Sequence, residues 1–145
     1  LEQADLVLFP EGSNCFFGDP KELQPFRSTR FLELAIRTNA PLLLSVHRGS
    51  EDWGLSLSMS RLPSIARSLA AAALGERAHE NERITLSKPP RPMRLFSMSC
   101  ELYRPKIKTL STDPHERKQQ LNGEAELIHT RMREMLIELD QKITS

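Results

Sequence analysis

Hydrophobic and polar residues follow two different periods along the chain, and the pattern predicts a mixture of strands and helices. A nearly continuous apolar run over residues 5–9 is typical of a strand that is buried on both faces. A second apolar run over residues 42–47 predicts another strand. Strict alternation over residues 96–102 predicts a half-buried strand. Residues 84–87 and 106–110 are shorter strand candidates.

Helical spacing of apolar residues predicts three helices. The first covers residues 28–38, with Ser28 or Thr29 as its cap and with Phe31, Leu32, Leu34, Ala35 and Ile36 facing inward. The second runs from Pro63 to Leu74, and the third begins at Asp113 and Pro114. The apolar stripe expected on the third helix is Leu121, Ala125, Ile128, Met132, Met135, Leu136, Leu139 and Ile143.

Composition narrows the class of protein without defining its function. A chain of 145 residues with 39% apolar residues can bury a single core. The net charge of +1, without basic residues interleaved with aromatic ones, gives no reason to expect a nucleic-acid partner. Cys15 and Cys100 lack metal-type spacing, so we expect two reduced thiols. No apolar run reaches the roughly 18–20 residues that span a bilayer.

Residues 48–60 are predicted to be a polar loop, and they leave two interpretations open. In the first, the apolar residues of this segment insert into a membrane surface; they are Trp53, Leu55, Leu57 and Met59. Arg61 and Arg67 would then lie beside anionic headgroups. The plainer alternative, a loop and helix packed on the core, is the one that we expect.

The turn that follows the first predicted strand is the strongest functional signal. Pro10, Glu11 and Gly12 come directly after the apolar residues Leu6–Phe9. The turn presents a carboxylate, and a glycine lets backbone N–H groups approach a ligand closely. Sheets of α/β proteins bind ligands at the ends of their strands. Residues 10–25 are therefore predicted to form a functional loop.

Three segments together resemble the acyltransferases that acylate glycerol 3-phosphate and lysophospholipids. Residues 9–14, with the sequence FPEGSN, are similar to the third conserved block of that family, F-P-E-G-T-R. Residues 40–46, APLLLSV, resemble the fourth block, a short apolar strand similar to V-P-I-V-P-V. Between them, residues 23–31, LQPFRSTRF, resemble the family's L-x-P-F-K-x-G-x-F segment. The resemblance is clear over residues 5–48 and faint over residues 104–143.

The resemblance implies both a fold and an activity. The fold would be α/β, with a mixed sheet flanked by helices as in glycerolphosphate acyltransferases. The activity would be transfer of a fatty acyl group from acyl-CoA or acyl-carrier protein to a glycerol-phosphate or lysophospholipid hydroxyl in phospholipid biosynthesis. It implies no cofactor or metal, and places the protein at the cytoplasmic face of a membrane, peripheral or anchored by an upstream segment.

The same resemblance assigns the substrate-binding residues. Glu11 would orient the acceptor, Gly12 and Ser13 would offer N–H and hydroxyl donors, and Arg27 would contact the phosphate. In the family, the general base is the His of an upstream block with the spacing His, four residues, Asp. Because the chain begins just before the third block, we expect residues 1–145 to be one domain, the C-terminal portion of a longer acyltransferase that is truncated at the N-terminus. No catalytic residue is therefore assigned, and the chain alone is expected to be inactive.

Two features keep a second interpretation open. Asn14 stands where the family often has Arg, which favours a non-catalytic module that binds lipid or acyl-carrier protein, or a degenerate remnant of the family. His47 and Asp52 reproduce the spacing of the catalytic block, but they follow the fourth block instead of preceding the third. We therefore expect His47 to be a strand-end residue without a base role.

Overall fold

The structure is a computed structural model that describes residues 6–11, 19, 21–50, 54–74, 83–87 and 96–144. Three α-helices, four strands and one 3₁₀ turn make it a mixed α/β arrangement within these residues. In chain order the elements are α1 (Arg30–Thr38), β1 (Leu42–Arg48), β2 (Gly54–Ser58), the 3₁₀ turn Met59–Arg61, α2 (Ser64–Leu74), β3 (Arg83–Ser87), β4 (Ser97–Tyr103) and α3 (Pro114–Thr144).

Two separate antiparallel strand pairs are present. β1 pairs with β4 in a register that runs from Leu42 opposite Tyr103 to Arg48 opposite Ser97. β2 pairs with β3 in the same antiparallel sense. Both described pairings are antiparallel, so the parallel component of the expected mixed sheet does not occur among the described residues. One face of the β1–β4 pair buries Leu44 and Val46, and the other face exposes alternate side chains.

The core lies where α3 packs against α1 and the buried face of β1. Leu32, Ile128 and Met135 are the largest fully buried side chains. The cluster consists of Leu32, Ile36, Leu44, Val46, Leu121, Ala125, Ile128, Met135 and Leu136. Most of the predicted stripe on α3 is thus confirmed, whereas Ile143 near its end is partly exposed.

Most of the predicted elements are confirmed, with small shifts at their ends. The Asp113 carboxylate accepts the backbone N–H of Glu116 at 2.8 Å, the N-cap contact expected for α3. α1 begins at Arg30, two residues later than predicted, and the Ser28 hydroxyl accepts the Arg30 N–H at 3.3 Å. Thr29 occupies the N-cap position without a side-chain hydrogen bond. Leu34 is about half exposed, so its expected inward orientation is wrong.

The first predicted strand is wrong where the structure describes it. Residues 6–9 are irregular, and Val7 and Phe9 are 79% and 82% exposed. A strand needs a hydrogen-bonded neighbour, and no described residue pairs with this segment. An apolar run specifies only that a segment gains by burial, so it cannot by itself specify a pairing partner.

Two further predictions, for residues 106–110 and 48–60, are wrong. Residues 106–110 do not form a strand, because the Lys106 N–H donates to the Glu124 carboxylate on α3 at 2.8 Å instead of to a neighbouring strand. Residues 48–60 are not a continuous loop, since they contain β2 and most of the 3₁₀ turn. Met59 is buried, which agrees with the expectation that this segment packs on the core. Ile65 and Leu69 on α2 are largely exposed, which disagrees with that expectation.

Candidate functional site

The segment that precedes α1 forms two hydrogen bonds with the predicted turn at Pro10 and Glu11. The backbone N–H of Arg27 donates to the Pro10 carbonyl at 2.8 Å. The backbone N–H of Gln24 donates to Oε2 of Glu11 at 2.9 Å. These two contacts fix both the backbone of the turn and the direction of its carboxylate.

Burial and charge act on Glu11 in opposite directions. The side chain is partly buried, and this burial raises the pKa of the Glu11 carboxyl above its ordinary value of 4.5. The Gln24 N–H and the positive charges of His129 and His47 oppose the rise by stabilising the ionised form. Among the described residues, no hydrogen bond reaches the other carboxylate oxygen, Oε1.

Two imidazoles approach the turn from different elements. His129 on α3 lies with Nε2 3.2 Å from the Gln24 carbonyl oxygen, and the Phe26 ring packs edge-on against its ring at 5.2 Å. His47 on β1 stacks on Phe96 with ring centroids 5.6 Å apart. The Ser50 hydroxyl lies 3.1 Å from Nδ1 of His47. We call Glu11, His47, His129 and the residues around them the corner, which therefore combines one carboxylate with two imidazole side chains.

A bidentate ion pair borders the corner. Nε and Nη2 of Arg48, at the end of β1, donate to the two carboxylate oxygens of Asp140 on α3, both at 2.7 Å. The Nη1 atom of the same guanidinium donates to the Lys21 carbonyl at 2.5 Å. The Arg48 side chain is largely buried for a charged residue, at 16% exposure. Planar recognition of this kind gives both charge pairing and fixed geometry.

The structure describes two of the four residues that were predicted to bind the acceptor, Glu11 and Arg27. Glu11 lies at the centre of the corner, and the backbone of Arg27 borders it, while Arg27 as a whole is exposed. Gly12 and Ser13 lie outside the described residues, as do Asn14 and Asp52. His47 is close enough for its charge to affect Glu11. The absence of a base role for His47 stays a prediction.

Several residues of the corner have no distinguishing sequence signal. Gln24, Arg48, His129 and Asp140 carry ordinary polar side chains on a loop, a strand end and a long helix. The one hint is the spacing of His129 and Asp140, eleven residues apart, which places them on the same side of α3. That spacing is common in helices, so it could not have identified the site.

Other binding features occur elsewhere or do not occur in the described part of the chain. A cavity of about 20 Å³ lies beside the C-terminal end of α1, where Asn39, Arg104 and Lys108 contribute to its lining, and Glu11 and Arg27 do not. Among residues 6–11, 19, 21–50, 54–74, 83–87 and 96–144, no three His, Cys, Asp or Glu side chains are grouped to hold a metal ion. Within the same residues, no helix has the length and apolar character needed to cross a membrane.

Comparisons with protein-family models, with curated proteins and with solved structures gave no match to this chain.

Proposed function

We propose that this chain is the acceptor-binding part of an acyltransferase of phospholipid biosynthesis. The observation that carries the proposal is the partly buried Glu11 carboxylate, held at a turn by the Gln24 N–H and influenced by His129 and His47. Removing a carboxylate from water costs free energy, and such perturbed groups cluster at functional sites. The segment that closes the turn is also the one whose sequence resembles the family.

The proposed chemistry is transfer of an acyl group from acyl-CoA or acyl-carrier protein to a hydroxyl of a glycerol-phosphate or lysophospholipid. Oε1 of Glu11 would accept a hydrogen bond from the acceptor, and Arg27 would meet its phosphate as a cation. Gly12 and Ser13 would add donors from the same turn. The general base would come from a His and Asp block upstream, and the fold would be that of glycerolphosphate acyltransferases working at a membrane surface.

The direct test is an acyl-transfer assay of the full-length protein. Loss of a charge-assisted hydrogen bond is worth roughly 1.5–3 kcal/mol, so Glu11→Ala should lower kcat/KM for the acceptor by about 10- to 150-fold. Glu22→Ala is the matched control, because Glu22 is an exposed carboxylate of the same segment. His47→Ala should change the rate little. An equal and severe loss from His47→Ala would contradict the expectation that His47 has no base role, and an unchanged rate in Glu11→Ala would reject the proposal.

The alternative is a non-catalytic module that binds lipid or acyl-carrier protein. Asn14 favours it, because the phosphate-binding guanidinium found at that position in the family is missing. This alternative predicts acceptor binding without turnover, even when the upstream residues are present. Single-turnover assays with labelled acyl donor separate the two, since an enzyme transfers the label and a binding module leaves it on the donor.

A further inference from the structure

The segment Lys21–Gln24 is attached to α3 at both of its ends. At its first residue, the Lys21 carbonyl accepts a hydrogen bond from Arg48, which is itself paired with Asp140 on α3. At its last residue, the Gln24 carbonyl contacts His129 on α3. The two α3 residues lie about three helical turns apart, a distance of roughly 16 Å along the axis. We call this segment the strap. It spans the same side of the helix that faces the Glu11 turn.

The Arg48 end of the strap depends on geometry more than on charge. One guanidinium makes three hydrogen bonds at once, two to the Asp140 carboxylate and one to the Lys21 carbonyl. A lysine has a single compact ammonium and cannot reproduce two parallel bonds together with a third directed elsewhere. Arg48→Lys therefore keeps the charge but loses the attachment.

The His129 end places the strap against Glu11. With a proton on Nε2, the His129 ring donates to the Gln24 carbonyl, and the same peptide segment presents the Gln24 N–H to the Glu11 carboxylate. Phe26 packs against both the His129 ring and the Phe31 ring, at 5.2 and 5.5 Å. A displacement of the strap by about 1 Å would lengthen the Gln24 contact beyond hydrogen-bonding distance.

We propose that Arg48 and His129 are positioning residues, which hold the strap so that Gln24 orients Glu11 for the acceptor alcohol. The part of this proposal that concerns binding of the acceptor rests on the function proposed above. The part that concerns the orientation of the Glu11 carboxylate does not. Neither side chain needs to touch the substrate. Their effect passes through the strap, so it should disappear when Glu11 can no longer form its charged contact.

The first experiment measures the hold on Glu11 directly, without ligand. In a pH titration followed by NMR, the Gln24 amide proton should shift in step with the Glu11 carboxyl carbon, because the two groups share a hydrogen bond. In Arg48→Lys this shared step should be lost at Gln24. Asp140→Asn, which alters the other side of the same ion pair, should give the same result and guards against a folding defect of one variant.

The control is a second arginine that also joins α3 to a strand. Arg131 pairs with Glu101 on β4 and with Glu134 and Glu138 on α3, at 2.6, 3.1 and 2.9 Å. Arg131→Lys removes comparable contacts at a site that does not touch the strap. The shared titration of Gln24 and Glu11 should be unchanged in this variant. If Arg48→Lys also leaves it unchanged, or if Arg131→Lys abolishes it too, the positioning role is refuted.

The second experiment carries the inference to the acceptor. Arg48→Lys should raise the Kd for glycerol 3-phosphate about tenfold in the wild-type background and less than twofold in Glu11→Gln. An equal factor in both backgrounds would show that Arg48 does not act through Glu11, and would overturn the inference. If the titration step is lost as expected but wild-type protein binds no glycerol 3-phosphate, the hold on Glu11 is supported and the proposed function fails.

Discussion

Glu124 offers a test of how α3 is fixed to the sheet that supports the corner. The side chain is only 3% exposed, and its Oε1 accepts the Tyr103 hydroxyl at 2.7 Å and the Lys106 N–H at 2.8 Å. These contacts join α3 to the end of β4 and to the segment that follows it. Burial and the neighbouring Glu124 charge raise the pKa of Tyr103, as expected for a phenol that donates to a carboxylate.

The cost of removing this carboxylate follows from the two donors that it leaves behind. An unsatisfied donor that is fully buried costs about 1–3 kcal/mol. The partial exposure of both donors and the relief of burying a charge offset part of the sum. Glu124→Ala should therefore lower the free energy of unfolding by about 3 kcal/mol. Glu124→Gln keeps an acceptor oxygen for the same donors and should cost about 1 kcal/mol.

Urea unfolding followed by circular dichroism measures both values. Glu126→Ala is the control, because Glu126 is exposed on the same helix two residues away and should stay within about 0.5 kcal/mol of wild type. If Glu124→Ala costs no more than Glu126→Ala, the buried carboxylate does not anchor α3, and the assignment of its two hydrogen bonds as stabilising contacts is refuted.

Three further predictions concern the turn, the core and a helix end. Because the folded-state pKa of Glu11 is raised, the stability that this group contributes is fully present at acidic pH and is lost as the pH rises above 4.5 through the folded-state pKa. In urea unfolding, the stability of Glu11→Gln relative to wild type should therefore increase between pH 4 and pH 7. A difference in stability that does not depend on pH would contradict this. Leu32→Ala empties a fully buried position and should cost about 2–5 kcal/mol in the same assay, whereas a cost below about 1 kcal/mol would show that the site is not packed as described. Asn39 has a positive φ of 51°, so Asn39→Val should lower the melting temperature and Asn39→Gly should not, and equal melting temperatures would contradict the left-handed conformation.

Local patterns predicted those elements whose signals are contained within the element itself. β4 forms where the alternation of apolar and polar residues predicts a strand. The expected burial of its apolar face is wrong, because Met98 and Leu102 lie on the more exposed face, at 58% and 61% exposure. α3 has a capping Asp113 and a long apolar stripe, and both are used as expected. In α3 the residues that specify the element are also the ones that cap or bury it.

The remaining features depend on contacts between distant residues, which no local pattern encodes. Leu6–Phe9 has the composition of a buried strand, but the partner that would pair with it is not specified by the run itself. The corner is similar in this respect: Glu11 was predicted from its turn, whereas Arg48 and Asp140 are 92 residues apart and meet only in the folded chain. The turn residues therefore predict Glu11 as a candidate, whereas no local pattern predicts the residues that hold its surroundings.

The proposed function depends most directly on where the phosphorylated alcohol binds. Titration of the ¹⁵N-labelled chain with glycerol 3-phosphate tests this, with the backbone amides of the non-proline residues as probes. We expect the largest shifts at Glu11 and Gln24, and a Kd at least about tenfold higher for Glu11→Gln. Shifts that instead cluster at the cavity beside Asn39, Arg104 and Lys108, or no shift near Glu11 at all, would contradict the proposed site.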